Sequence, residues 1–291
     1  MQFEVSVPRG TEAICAGRLI SHDRAPDDSS RDRWVWQIDA PTVTYATFLG
    51  VGDYDVEQGT AGGRPFVYAV SRKLSADDRA RALRWLRRTP ASIDKLEKHL
   101  GAYPFSGIGG FVPNTEFQWG GLETAMNPVY NKHMVGSETL INHEQAHMWF
   151  GDTVTLTEWN DIFNNESLTT YAEWLTTTGS DPQENFRRIY VGQANQDGFW
   201  GPPLSDLGVE QMFRRVYDRG PLVVHALRSR MGDDAFWPMF RTWAQQKGPR
   251  SLEDFRQAAD DATPHDLTGF FAEWLDQEDR PEATEENGVT R

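Results

Sequence analysis

His143-Glu144-Gln145-Ala146-His147, followed by Glu166, decides how this chain is read. Residues four apart share one face of a helix, so His143 and His147 can aim a ring nitrogen each at one ion. Glu144 projects about 100° round the helix from His143 and can reach a metal's water without binding the metal. Three protein ligands and one solvent position form an open, catalytic zinc arrangement. The local pattern supplies the helix. Ser137 is a good N-cap, Glu138 lies in the first turn, and Leu140 and Ile141 begin an apolar face. The pattern predicts a helix from Glu138 to Trp149, stopped by Gly151. A second helix is predicted from Asn165 to Thr177, with Leu168, Tyr171, Ala172 and Leu175 on its apolar side and Glu166 at its start.

Other signals are weaker. By itself Glu123 reads equally as a solvated loop carboxylate, and Tyr217 reads as a core tyrosine at a helix start. Gly107-Ile108-Gly109-Gly110 lacks the Lys-Ser/Thr ending of a phosphate loop and reads as a turn. Trp149, Phe150, Trp159, Phe163 and Trp174 read as core around the metal helices. His99, His133, His225 and His265 show no ligand spacing.

The run from His143 through Asp152, Trp159-Asn160-Asp161 and Asn165-Glu166 to Tyr171-Ala172-Glu173-Trp174-Leu175 resembles the M1 family of zinc aminopeptidases. That family carries HExxH, eighteen intervening residues and a third ligand Glu, and the interval from His147 to Glu166 matches. Gly120-Gly121-Leu122-Glu123-Thr124 is similar to its GAMEN motif, and Tyr217-Asp218-Arg219-Gly220 to its YxKG motif, both in family order. The resemblance covers about residues 1–276. It implies one zinc ion per chain, held by His143, His147 and Glu166, with Glu144 as general base and Tyr217 as donor to the oxyanion. Glu123 would hold the substrate's free α-ammonium, with Gly120, Gly121 and Leu122 also substrate-binding. Such a site removes the N-terminal residue of peptides that have a free N-terminus; Trp119 is expected to line the side-chain pocket. Two alternatives stay open: a related gluzincin endopeptidase that does not use Glu123, and an inactive zinc-binding scaffold.

Several positions depart from the family pattern. Ser167 stands where Gly usually follows the third ligand, Thr124 where Asn follows Glu123, Arg219 for the YxKG lysine, and Pro221 where a small residue is usual. None removes a ligand or a proton donor.

The resemblance implies an α+β fold, with a mainly helical thermolysin-like catalytic domain preceded by a partial antiparallel β domain. Residues 1–72 are expected to be the β-rich part, 73–275 the catalytic domain and 276–291 an acidic, disordered tail. The front half of the family's β domain and its C-terminal helical domain are expected to be missing. Phe3, Val5 and Val7 alternate as in a strand, as do runs over 13–20, 34–39, 42–51 and 65–71, with turns at 27–30 and 59–63. Helices are predicted over 77–89, 92–100, 184–197, 221–231, 235–246, 252–261 and 267–275.

The 291 residues are enough for a sizeable core. A net charge of −14 argues against a nucleic-acid partner, because phosphate binding needs clustered Lys and Arg. It suits an acidic cleft for cationic peptide termini, and equally a merely soluble protein. Cys15 is the only cysteine, so neither an intrachain disulfide nor a thiolate-rich metal site can form. Without an apolar run near 18 residues, no membrane partner is expected. With no signal-peptide core at the N-terminus, a cytoplasmic location is expected. Oligomeric state is not legible.

Overall fold

Apolar alternation in the first part of the chain becomes a run of strands. The computed structural model describes residues 1–194, 196 and 198–289, and the chain divides into two compact units. The first comprises Met1–Lys95 and Tyr103–Met148, the second Leu96–Ala102 and Trp149–Arg291.

In the first unit, β1 (Gln2–Pro8), β2 (Glu12–Cys15), β3 (Arg18–Ala25), β4 (Asp28–Gln37) and β5 (Leu49–Gly52) form two antiparallel groups, β1-β4-β3 and β2-β5. The continuous strand expected over 13–20 is split at Gly17, which has φ +95° and where a Cβ would lie 2.6 Å from the Gln37 carbonyl oxygen. Thr42–Phe48 lies outside the strands, and Asp28–Ser30, read as a break, begins β4. β6 (Tyr54–Ala61) and β7 (Arg64–Ser71) make a hairpin whose turn is Gly62-Gly63, both at positive φ. The α1 helix (Ala76–Leu86) starts at Ser75, whose hydroxyl accepts the Asp78 N–H at 3.1 Å. The α2 helix (Thr89–Leu100) follows.

β8 (Ile108–Val112) corrects the expectation of a turn at Gly107–Gly110: it is a buried strand, parallel to β7. Its glycines are there for close approach. A Cβ on Gly109 would lie 1.9 Å from Asn127 Oδ1, and one on Gly110 2.5 Å from a Leu86 methyl. β9 (Gly121–Leu122), β10 (Val129–Tyr130) and α3 (Glu138–Ala146) complete this unit, whose mixed sheet runs β6-β7-β8-β10-β9.

Alternate side chains of β7 point to opposite faces. Val67 and Ala69 join Trp34, Trp36, Cys15 and Phe111 in one core; Tyr68 and Val70 join Trp85, Leu86, Tyr130 and Ile141 in another. The early strands and α1 belong to one compact unit.

The second unit holds β11 (Val154–Leu156), α4 (Leu168–Thr176), α5 (Pro182–Gly192), α6 (Gly220–Met231) and α7 (Asp233–Ala244). β12 (Gly248–Arg250), parallel to β11, precedes α8 (Leu252–Ala262) and α9 (Thr268–Phe271). The helix expected over 184–197 ends at Gly192, and Asp197 lies outside the described residues. Buried from Gly220 to Leu227, α6 forms the middle of the bundle. Trp149, Phe150, Phe163 and Trp174 are core as expected, but Trp159 is 51% exposed because it opens a short 3-10 turn at the surface.

The tail is packed through residue 289, not disordered as its polar composition suggested. Tyr190 donates to the Pro281 carbonyl at 2.5 Å and the Trp274 indole to that of Asn287 at 3.1 Å, while Asn287 bonds the Glu273 carboxylate at 2.6 Å. Gly288, at φ +65°, lies so close to the Ala226 carbonyl that a Cβ there would sit 2.0 Å from it.

His225 of α6 is buried against the rings of Phe186 and Tyr171, and one ring nitrogen lies 3.1 Å from Gln183 Oε1. Burial pulls its pKa down from 6.5 to about 4, with Arg228 adding to the effect and Asp181 and Asp233 opposing it. The folded pKa is the lower one, so this contribution to stability is full above about 6.5 and is lost as pH falls towards about 4. Between pH 7 and pH 5 the loss should be about 2 kcal/mol. Denaturant unfolding of wild type and His225→Phe at the two pH values should show a smaller decline in the variant.

Candidate functional site

The histidine pair stands on α3. Ser137 caps the helix, its hydroxyl accepting the Leu140 N–H at 3.1 Å. Regular helix ends at Ala146, three residues short of the predicted Trp149. Met148 N–H turns in to the Gln145 carbonyl at 3.3 Å, tightening the last turn, and Gly151 takes φ +102°. His143 and His147 keep their i, i+4 relation, with Nε2 atoms 3.1 Å apart. Two imidazoles bound tetrahedrally to zinc at 2.0–2.1 Å place their nitrogens ~3.3 Å apart, so the pair fits such an ion.

Around His147 the first unit gathers two carboxylates. Ligand atoms of Glu123, Glu144 and His147 all lie within 4.8 Å of one another, and all three residues are buried. Glu144 is therefore beside the donor pair, and Glu123 is no solvated loop residue. Buried carboxylates in such proximity favour a cation, which suits both a metal and a substrate ammonium.

Glu123 owes its position to the edge strand β9. Tyr130 pairs with Gly121 and Val129 with Leu122. Asn131 clamps the approach to this strand. Its backbone N–H bonds the Gly120 carbonyl at 2.8 Å, and its side-chain amide bonds the carbonyls of Phe117 and Trp119, each at 2.9 Å. Just past Glu123, the Thr124 hydroxyl donates to the Asn127 carbonyl at 2.6 Å, and Asn127 donates to the carbonyls of Cys15 and Gly17 at 2.8 and 2.6 Å. The Thr124 departure thus closes a turn. Gly121 lies directly on Glu144, since a Cβ there would be 2.4 Å from Glu144 Oε1. Trp119, 55% exposed, stacks on Phe117 with ring centroids 5.1 Å apart.

Glu166 and Tyr217 belong to the second unit. Glu166 is buried in a π-helical turn, Phe163–Ser167, that runs into α4. Gly151 makes room for this turn, because a Cβ there would be 2.4 Å from Asn165 Oδ1. Tyr217, 37% exposed, sits in the turn just before α6. Arg219 keeps its charge but faces inward. It is buried, its guanidinium donates to the Pro202 carbonyl at 2.7 Å, and burial followed by repulsion from Arg215 lowers its pKa to about 10. Pro221 is accommodated in the first turn of α6.

The sequence reading missed Asn131 and Asn127, whose side-chain amides donate to carbonyls 12 to 112 residues away, contacts that no local pattern encodes. Ser167 was noticed only as a departure from a pattern.

The structure sets the cost of crowding the edge strand. Gly121→Ala should lower stability by about 1–3 kcal/mol, because the added carbon meets the body of the Glu144 carboxylate. Gly120→Ala should cost less, since it faces only the movable end of Leu140 at 3.0 Å. Thermal unfolding of the two variants side by side checks the order.

Comparison with known proteins points one way. Residues 123–274 match the peptidase family M1 domain. The chain is 27% identical over 309 residues to aminopeptidase N of Streptomyces lividans, an alignment covering 94% of this chain and 35% of that protein. The crystal structure of an M1 zinc metallopeptidase from Deinococcus radiodurans superposes with a TM-score of 0.81 at 23% identity, covering 97% of this chain and 64% of that one. A form of that enzyme bound to a Tyr-Ser-Ala substrate gives a TM-score of 0.79. At this identity the structural likeness establishes the α+β fold. The chain spans about a third of the S. lividans relative and about two thirds of the solved structures.

Proposed function

This chain belongs to peptidase family M1, and from that premise we propose that it is a zinc aminopeptidase. The observation that carries the proposal is the buried group of Glu123, Glu144 and His147, with ligand atoms within 4.8 Å of one another beside the His143–His147 pair. A structural helix has no use for two carboxylates out of water next to an imidazole pair. A hydrolase that must hold a cation, activate water and bind an ammonium uses each of them.

The metal ligands in this reading are His143, His147 and Glu166, the last supported by its family spacing from His147. Zinc held there would polarise the scissile carbonyl and acidify water. The protein's own groups do the rest. Glu123 binds the α-ammonium of the first residue and so selects chain ends, because an internal peptide bond offers no such charge. β9, with Gly120, Gly121 and Leu122, aligns the peptide along the sheet edge. Glu144 takes a proton from the attacking water and passes it to the leaving amine. Tyr217 donates a hydrogen bond to the oxyanion, whose charge exists only near the transition state. The substrates are peptides with free N-termini, and Trp119 borders the side-chain subsite. None of the helices among the described residues is long and apolar enough to cross a membrane. A cytoplasmic location is part of the same proposal, and the lone buried Cys15 is compatible with a reducing compartment.

An assay on aminoacyl fluorogenic substrates and on matched free and N-acetylated peptides tests this reading. Cleavage should require the free amine and stop with a chelator. Glu144→Gln should cost about 10²–10⁴ in kcat, and Tyr217→Phe about 10²–10³ in kcat with zinc retained. Efficient cleavage of the acetylated peptides would point to an endopeptidase. An activity indifferent to Glu144→Gln would leave a scaffold.

A further inference from the structure

Serine and threonine in a helix ordinarily return their hydroxyl to the carbonyl four residues back. Two threonines of the Glu166 helix do so, Thr170 to Glu166 at 2.8 Å and Thr176 to Ala172 at 2.9 Å. Ser167 does not. Fully buried in the π-helical turn, its hydroxyl reaches 49 residues along the chain and donates to the Val216 carbonyl at 2.9 Å. That carbonyl belongs to the peptide unit whose N–H is Tyr217's. The unit is planar, so an anchor on its oxygen fixes the orientation of the plane that ends at the Tyr217 Cα.

The same serine meets the chain again at Gly220. A Cβ at Gly220 would lie 1.8 Å from Ser167 Oγ and 2.3 Å from its Cβ, so the backbone rests directly on the side chain. Between these contacts the segment closes on itself. The Arg215 carbonyl accepts from the N–H groups of Asp218 at 3.2 Å, Arg219 at 2.8 Å and Gly220 at 3.4 Å. Tyr217 thus stands on a short closed turn seated at both ends on one buried serine.

We propose that Ser167 is a positioning residue for Tyr217, tying the turn that carries the proposed third ligand to the turn that carries the proposed oxyanion donor. This deepens the aminopeptidase reading and rests on it for its kinetic consequence. The mechanical link itself is independent of activity. The contact also explains two neighbouring sequence features together. The residue after Glu166 can be larger than glycine only because residue 220 has no side chain.

Amide hydrogen exchange on the purified full chain tests the link without turnover. In Ser167→Ala, the amides of Tyr217 to Gly220 should exchange about ten-fold faster, while those of α4 are unchanged. Unchanged exchange over 217–220 overturns the proposal, whatever the enzyme does. The kinetic test is a double-mutant cycle. Ser167→Ala should lower kcat about ten-fold with KM and zinc content unchanged, as a displaced catalytic donor would. In a Tyr217→Phe background it should then change kcat less than about two-fold. Equal losses in both backgrounds, or loss of zinc, would assign Ser167 to the stability of the ligand turn instead. The exchanged pair Ser167→Gly with Gly220→Ala refills the space without the hydrogen bond, and kcat should stay low; recovery would show that packing alone matters. If Tyr217→Phe by itself leaves kcat intact, the aminopeptidase role of Tyr217 fails while the exchange result still decides the link.

Discussion

Two carboxylates and an imidazole share a buried space less than 5 Å across, and the first unit is built to keep them there. Unit charges of one sign at that separation repel by roughly 3–4 kcal/mol even at an effective dielectric of 20. A cation relieves such repulsion, and in the proposed reading the site takes two: a metal on the imidazoles and an ammonium at Glu123. The cost of assembling the charges in advance is met by packing elsewhere in the unit. In the proposed reading this is electrostatic preorganisation, with the reorganisation done before the substrate arrives.

The packing that holds the cluster runs through one sheet. β7 is buried on both faces, and through β8 and β10 the sheet reaches the edge strand β9, where Gly121 touches Glu144 and the next residue but one is Glu123. Small residues recur where elements must come close. Gly109 admits the Asn127 amide, Gly121 the Glu144 carboxylate and, in the second unit, Gly151 the Asn165 amide. At each a methyl group would collide with a polar side-chain atom, so these glycines are needed for close approach.

The departures from the family pattern fall into place as local exchanges. Thr124 closes with its hydroxyl the turn after Glu123. Arg219 turns its charge inward to a carbonyl and the Trp200 ring, acting as a structural clamp. Ser167 trades the room of a glycine for a hydrogen bond, and Gly220 yields the space. For Arg219 and Ser167 a neighbour in space, not in sequence, makes the substitution possible.

What the sequence determined by itself was everything set by local period and chemistry. The i, i+4 histidines, the Ser137 cap, the adjacent Glu144 and the spacing to Glu166 follow from one helix and the order of motifs, and the strands at 2–8 and 64–71 follow from alternation. What only the tertiary structure decided were the contacts between distant segments. A run of glycines at 107–110 reads as a turn until a neighbouring strand and an asparagine press upon it. A polar tail reads as disordered until Asn287 and Gly288 find their partners. Ser167 reads as a stray substitution until the Val216 carbonyl lies above it. Hydrophobic period reports which side of an element is buried, but the identity of the atom that meets it depends on the packing of segments tens of residues apart, which no local pattern encodes.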